Sequence, residues 1–169
     1  MAGWLRRAGS APRPGGGHVT WSVAEGRRGR RWREVVVDAD GAVRHSLLLE
    51  LDPDGRFSHL ELSTAAGLLT LHPEGDGTLH GNAVTGDGVR HIGGWAWDAD
   101  LAIEVEGSVV CEATWRRRDG SPFGSLQLVR RDLTLEPATR LVPIEDAAVD
   151  PDGPQTFGGG TTWPLETSG

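Results

Sequence analysis

A histidine and two aspartates lie close together near the middle of the chain: His91, Asp98 and Asp100. A pair of carboxylates can act as general acid and general base when burial or mutual repulsion raises the pKa of one of them. Aspartate is also a common turn residue, because its side chain accepts hydrogen bonds from nearby backbone amides. The same spacing recurs beside evident turn sequences, so we interpret the two aspartates first as turn residues and predict no catalytic residue.

Two further histidines, His72 and His80, flank a turn sequence at residues 73–77. If the chain pairs across this turn with His72 opposite Thr78, the two imidazoles become diagonal neighbours on one face of a sheet. Zinc sites use three or four ligands, and no third ligand is apparent in the sequence. We therefore predict surface histidines, with no bound metal and no cofactor.

Arginine supplies all 17 basic residues, and the segment 27–33 is especially rich in it. A guanidinium group binds carboxylates and phosphates in a forked geometry, so this segment can contact an anion. The formal net charge of −7 opposes a general affinity for nucleic acid. We interpret the segment as a solvated loop and predict no nucleic-acid partner.

The single cysteine, Cys111, rules out a disulfide within the chain. It lies on the apolar side of an alternating segment, which predicts a buried, inert thiol rather than a nucleophile. Common hydrolase, nucleotide-binding and metalloprotease motifs are absent from the sequence. No apolar run approaches the roughly 20 residues of a membrane span, and the first residues lack the apolar region of a secretory signal. We predict a cytoplasmic protein that does not span a membrane.

Most of the chain alternates between apolar and polar residues, which is typical of β-strands with one buried face. Turn sequences such as Asp40-Gly41 and Asp52-Pro53-Asp54-Gly55 separate the alternating segments. This pattern predicts an all-β fold, a single domain whose long antiparallel sheet curls into an open or partly closed barrel. We expect a flexible leader at 1–17, the β domain at 18–146 and an irregular tail at 147–169. The predicted strands are 18–25, 32–38, 43–51, 56–63, 68–72, 78–84, 89–97, 101–106, 109–115, 123–130 and 133–135.

Two tryptophans, Trp95 and Trp97, occupy alternate positions in the segment 89–97. Alternate residues of a strand share a face, so we expect Val89, His91 and Gly93 to lie on the same face as both indoles. Large aromatic side chains commonly fill a core, and they also line apolar ligand cavities. Both interpretations stay open from the sequence.

The strand order, followed by LHGNAV at 79–84 and GWAWDADLAIEVEGS at 94–108, resembles a family of bacterial glycolipid-binding proteins. The resemblance spans roughly residues 18–145 and is strongest at Gly93–Leu101, where Asp98-Ala99-Asp100-Leu101 matches an acidic D-x-D-L element. This chain has Ala102–Val110 where the family has a segment rich in Thr, Asn and Pro. The resemblance implies a bacterial protein, a sheet curled into an open barrel as in lipoprotein carriers, and a glycolipid ligand near Asp98, Asp100 and Leu101.

Our first functional hypothesis is a non-enzymatic binding protein with an apolar, tryptophan-lined cleft for a glycolipid or a fatty-acid-like amphiphile. Arg44, Arg90 or His91 near its mouth would bond a polar head group. One alternative is a small hydrolase-like enzyme that uses Asp98 and Asp100, or Asp100 with His91, as acid and base. Another is a β-sheet interaction module that forms a homodimer through exposed strand edges. The apolar lining would consist of Trp95, Trp97, Leu47, Leu49, Leu101 and Ile103.

Overall fold

The computed structural model describes residues 5–97, 101–111, 125–137 and 162–164. These ranges contain no helix with the length and apolar character that crossing a membrane requires. Their strands are Leu5–Pro12 (β1), His18–Gly26 (β2), Gly29–Val37 (β3), Val43–Leu51 (β4), Phe57–Thr64 (β5), Gly67–Pro73 (β6), Thr78–Thr85 (β7), Gly88–Ala96 (β8), Leu101–Val105 (β9), Ser125–Val129 (β10), Leu135–Pro137 (β11) and Thr162–Pro164 (β12).

The larger of two sheets has the order β12-β1-β2-β3-β4-β5-β6-β7-β8, with every neighbouring pair antiparallel. From β1 to β8 each strand pairs with the one before it in the chain, as short turns dictate. The sheet stays open, because no pairing between its edge strands β12 and β8 occurs among the described residues. The predicted all-β fold with one long antiparallel sheet is confirmed.

The turn between β4 and β5 shows how local sequence fixes this register. The Asp52 carboxylate accepts hydrogen bonds from the backbone amides of Asp54 (2.9 Å) and Arg56 (2.8 Å), which closes the turn. A one-residue register shift between Glu50 and Leu51 then places Leu47 opposite Leu62 on one face, and both are almost fully buried. Burying one leucine side chain contributes about 1.5–3 kcal/mol, so a one-residue slip would be strongly unfavourable.

We call the face that buries these leucines the core face and the opposite side the outer face. A smaller sheet, in the order β11-β10-β9, contributes Ile103, Val105 and Val129 to the same hydrophobic cluster as the leucines of the core face. We call β9, β10, β11 and the turns at 106–111 and 130–134 the inner layer. The pair β9 and β10 is parallel, which differs from the predicted all-antiparallel pairing. Parallel neighbours need a crossover connection, and residues 106–124 separate these two strands in the sequence.

Two segments outside the predicted β domain carry strands. Leu5–Pro12, which we placed in a flexible leader, forms β1 and pairs with β2 along its whole length. At Gly9 this strand lies directly against a large side chain, because a Cβ there would be 2.7 Å from Cζ2 of Trp21. Thr162–Pro164, which we placed in the irregular tail, pairs with β1.

The predicted strand at 109–115 is wrong over its described residues, 109–111. The amides of Val109 and Val110 both donate to one carboxylate oxygen, Oε2 of Glu34, at 2.9 and 3.1 Å. Consecutive amides of a strand point in opposite directions and cannot converge in this way. The chain therefore turns at Ser108, whose Oγ accepts a hydrogen bond from the Cys111 amide.

Candidate functional site

A β-bulge in β8 decides where the two tryptophans point. Gly81 pairs with Ile92 and Leu79 pairs with Trp95, so β8 has one more residue than β7 between these two pairs. Gly94 adopts φ +76°, a left-handed conformation that glycine reaches without strain. Ile92 and Trp95, three residues apart, consequently both face the core.

The prediction that Val89, His91 and Gly93 share a face with Trp95 and Trp97 is therefore wrong. Val89 is 69% exposed on the outer face, where it pairs with the exposed Val84. His91 pairs with the exposed Asn82, and its Nδ1 lies 3.3 Å from Asn82 Oδ1. The bulge separates these residues from the indoles, because the extra residue shifts the alternation from one face to the other.

Trp95 and Trp97 are partly buried and pack against the main core cluster, which also contains Leu101. The amide of Trp97 donates to the Gly77 carbonyl at 2.8 Å, which fixes this pair beside the turn between β6 and β7. Trp97 Nε1 is buried without a hydrogen-bond partner in the described part of the chain. Asp98 and Asp100 lie outside the described residues. The other predicted lining residues are buried in the same cluster: Leu47, Leu49 and Ile103.

Arg44 lies at the opposite end of the sheet from the tryptophans. It is near the start of β4, beside the turn between β3 and β4, and its Nη2 pairs with Asp38 Oδ1 at 2.6 Å. Successive turns of an antiparallel meander alternate between two ends, and an eight-residue strand spans about 25 Å. The structure thus places Leu101 in the same hydrophobic cluster that Trp95 and Trp97 pack against, with Arg44 at one separate location and His91 at another.

A cleft of about 580 Å³ opens beside Arg44, at the end where β3 and β5 finish and the inner layer turns. We call it the arginine cleft. Its charged lining consists of Arg44, Arg130, Arg131, Asp38, Glu106 and Asp132. An aliphatic part of its wall consists of Ala42, Val43, Ala65 and Ala66.

Hydrogen bonds from the inner layer fix one side of the arginine cleft. Arg131 donates to Glu106 through its backbone amide (3.1 Å) and its Nη2 (3.2 Å), and the backbone bond is the main reason that the pKa of Glu106 is lowered. The Thr64 hydroxyl donates to the Arg131 carbonyl at 2.8 Å. Arg130 pairs with Glu136 at 2.5 Å, which raises the pKa of Arg130. Both arginines are thereby held in place.

Two other guanidinium groups keep unused donors. Arg13 makes no ion pair with the described residues, and its buried Nη1 has no hydrogen-bond partner there. Burial, and next the nearby charge of Arg44, lower the pKa of Arg13. The buried Nε of Arg44 also lacks a partner in the described ranges, although its Nη2 binds Asp38. Buried donors of this kind are unfavourable until an acceptor binds them, and an anion would be a strong acceptor.

Sequence reasoning named Arg44 but missed Arg13, Arg131 and Glu106. Arg13 follows a proline within a glycine-rich stretch, and nothing in that pattern shows that β1 brings it to Arg44. Arg131 and Glu106 meet because β9 and β10 are parallel neighbours, a pairing that strand periodicity does not specify. Turn residues of distant segments become neighbours only when the register is known.

Glu34 and His45 form a second cluster that the sequence analysis missed. Both side chains are fully buried, with Glu34 Oε1 2.6 Å from His45 Nε2, while Glu34 Oε2 accepts the two amides of the inner layer. The sequence did contain an indication of this cluster, because both residues occupy positions where the alternation of their strands places buried apolar side chains. Because substrate cannot reach either group, we interpret this cluster as a link between the two layers.

Cys111 is fully buried, as predicted. Burial is the main cause that raises the pKa of its thiol to about 12, and the charge of Glu34 adds to the effect. A nucleophilic cysteine needs a lowered pKa and access to solvent. This thiol has neither property.

We compared the chain with known protein families, with curated proteins and with solved structures, and none of them matches. The resemblance to glycolipid-binding proteins therefore stays a prediction.

Proposed function

We propose that this protein is a non-enzymatic binding protein for an anionic amphiphile, whose carboxylate or phosphate head group binds in the arginine cleft. The observation that carries the proposal is the Arg44 guanidinium in the wall of this cleft, whose Nε has no partner among the described residues, together with the nearby Arg13, whose Nη1 has none there either. A glycolipid with an acidic head group, or a fatty acid, has the required chemistry.

The charged side chains that line the cleft are three arginines and three carboxylates, so binding of an anion would depend on the unused donors of Arg13 and Arg44. Arg130 and Arg131 are already paired with glutamates. Burial is the main cause of the lowered pKa of Arg13, and repulsion by the charge of Arg44 is the second. An anion between them would relieve this repulsion and accept hydrogen bonds from both.

The shape and wall of the cleft favour a ligand that also has an apolar part. A volume of about 580 Å³ lies within the usual range of small-molecule sites. Val43 is 58% exposed at its wall, next to three alanines, so an alkyl group bound there would be partly removed from water. The tryptophans lie at the other end of the sheet, so we assign the head group and the first carbons to this cleft.

Binding of decyl phosphate by the full-length chain, measured by calorimetry, tests the proposal. Octyl glucoside serves as an amphiphile without charge, and inorganic phosphate as an anion without an alkyl chain. We expect decyl phosphate to bind at least about tenfold more tightly than either, because both contributions act together. Equal affinity for octyl glucoside would contradict the assignment of an anionic head group.

Arginine variants locate the site. Arg13→Gln and Arg44→Gln should each weaken decyl phosphate binding about tenfold or more, since hydrogen bonds to charged groups contribute about 1.5–3 kcal/mol. Arg56→Gln is the matched control, because Arg56 is half-exposed beside the turn at the other end of β4. Unchanged binding by both cleft variants, with folding verified by circular dichroism, would disprove the proposed site.

A further inference from the structure

Three histidines lie side by side on the outer face, on three successive strands. His72 of β6 is directly opposite His80 of β7, rather than diagonal to it as the sequence suggested. The ring of His91, on β8, has its centroid 5.8 Å from that of His80. We call His72, His80 and His91 the histidine cluster. It is separated by the thickness of the sheet from the core face and from the tryptophans.

The bulge that turns the tryptophans inward also creates space for these imidazoles. His80 lies opposite Gly93 and Gly94, between the two residue pairs that flank the bulge. A Cβ on Gly93 would be 3.2 Å from His91 Nε2 and 3.7 Å from His80 Cε1. The two rings therefore approach each other above a residue that has no side chain.

We propose that the histidine cluster binds a divalent transition-metal ion of the Zn²⁺, Ni²⁺ or Cu²⁺ class. Imidazole nitrogen suits these ions, whereas Ca²⁺ and Mg²⁺ require oxygen ligands. Two imidazoles on one tetrahedral zinc, with Zn–N bonds of about 2.0–2.1 Å, have ring centres roughly 5 Å apart. The observed 5.8 Å between His80 and His91 differs from this by less than 1 Å.

His72 supplies the third nitrogen, which the sequence did not reveal. Its Nε2 lies 3.0 Å from Glu74 Oε1, and His80 Nε2 lies 2.8 Å from Thr78 Oγ1. No three histidine, cysteine or acidic side chains already converge on one point within the described ranges, so the rings rotate to bind the ion. Directly opposite residues on adjacent strands have Cβ atoms about 4.5–5.5 Å apart, which such a rotation can span.

The test uses the full-length chain without an affinity tag, first freed of metal with a chelator. Calorimetry with Zn²⁺ gives the stoichiometry and affinity, and electron paramagnetic resonance with Cu²⁺ counts the coordinated nitrogens. We expect one ion per chain, with three nitrogen ligands. More than one equivalent of weak, equal sites would overturn the proposal, because it would indicate scattered surface histidines.

Variants identify the ligands. His80→Ala and His91→Ala should each weaken Zn²⁺ binding about tenfold or more, because each removes a nitrogen ligand. His72→Ala should leave a two-nitrogen Cu²⁺ spectrum. His18→Ala is the matched control, since His18 is exposed at the start of β2. A loss in His18→Ala equal to that in His80→Ala would overturn the assignment.

A further variant tests the role of the bulge. Gly93→Ala places a methyl group against the His91 ring and should weaken Zn²⁺ binding while all histidines remain. Its melting temperature shows whether the fold is retained. Unchanged affinity in both Gly93→Ala and His91→Ala would exclude His91 as a ligand.

Discussion

At the scale of single residues, Glu34 connects the two layers of the molecule. One carboxylate oxygen lies against His45, and the other accepts two amides from the inner layer. A buried charge is tolerated only when its hydrogen-bonding capacity is used in this way. The residue therefore contributes to stability through both layers at once.

Glu34→Ala should lower the free energy of unfolding by about 3–5 kcal/mol, because it leaves the buried His45 and two amides without their partner. Glu61→Ala, which removes a glutamate paired with the partly exposed His59, should change it by less than about 1 kcal/mol. Urea denaturation measures both. The double variant Glu34→Leu/His45→Leu should be more stable than Glu34→Ala, since it removes both polar groups together. Equal effects of Glu34→Ala and Glu61→Ala would contradict the buried link.

The Cys111 thiol should make the protein less stable in alkali. Its pKa is raised from 9.0 to about 12 in the folded chain, so between these values the unfolded thiol has lost its proton and the folded thiol has kept it. The unfolded state then binds fewer protons, and the free energy of unfolding falls as the pH rises. The sequence has no tyrosine, and arginine supplies every basic residue, so no lysine or tyrosine titrates in this window.

Urea denaturation between pH 8 and 11 measures this effect, with Cys111→Ala as the control. The wild-type chain should lose stability with rising pH, and the variant should lose markedly less. Parallel curves for the two proteins would show that the thiol is not buried as described.

At the scale of the element, the bulge in β8 gives one strand two surfaces with different neighbours. It directs Trp95 to the core face and leaves His91 on the outer face. Deleting Gly94 should restore simple alternation, which would transfer the indoles to solvent or force the register to slip. We expect a marked loss of stability and a red-shifted tryptophan emission.

Gly94→Ala is the matched control for that deletion. It keeps the residue count but places a side chain at φ +76°, which costs about 1–2 kcal/mol in a left-handed conformation. Its emission maximum should stay at the wild-type value while its melting temperature falls. A deletion variant with wild-type emission would contradict the role of the bulge in orienting the tryptophans.

Strand positions could be predicted where a segment alternates between apolar and polar residues and is also flanked by turn-forming residues. They could not be predicted where one of these two features is absent. The strand β4 was predicted at its observed bounds, Val43–Leu51, because both of its flanking turns have explicit sequence signals. The strand β1 was missed because Gly9 and Ala11 are too small to give an apolar pattern. The bulge was missed because the alternation argument assumes that every residue of a strand points to the face opposite that of the residue before it. An inserted residue breaks this rule without changing the pattern of residue types. The paired glycines at 93–94 were the available signal.

At the scale of the whole molecule, the large sheet and the inner layer share one hydrophobic cluster. It contains Trp21 and Leu60 from the sheet together with Ile103 and Cys111 from the inner layer. Arg90 adds a hydrogen bond across the layers, from its Nη2 to the Leu133 carbonyl at 2.9 Å. Neither layer can separate without exposing the apolar surface of the other.

The two layers should therefore unfold in a single transition. Labelling of Cys111 by a thiol reagent follows the inner layer, and the far-ultraviolet circular dichroism signal follows the sheet. Their midpoints in urea should coincide. Labelling at a lower urea concentration than the loss of the sheet signal would show that the inner layer detaches first.

The strictly sequential pairing from β1 to β8 has a consequence for synthesis of the chain. Each hairpin can form as soon as its second strand leaves the ribosome, because its partner has already emerged. The leucine-rich side of the growing sheet, however, has no cover until residues 101–133 follow. During that interval the exposed apolar surface of the nascent chain is at its largest. The speed at which residues 101–133 are translated therefore sets how much the chain needs chaperones.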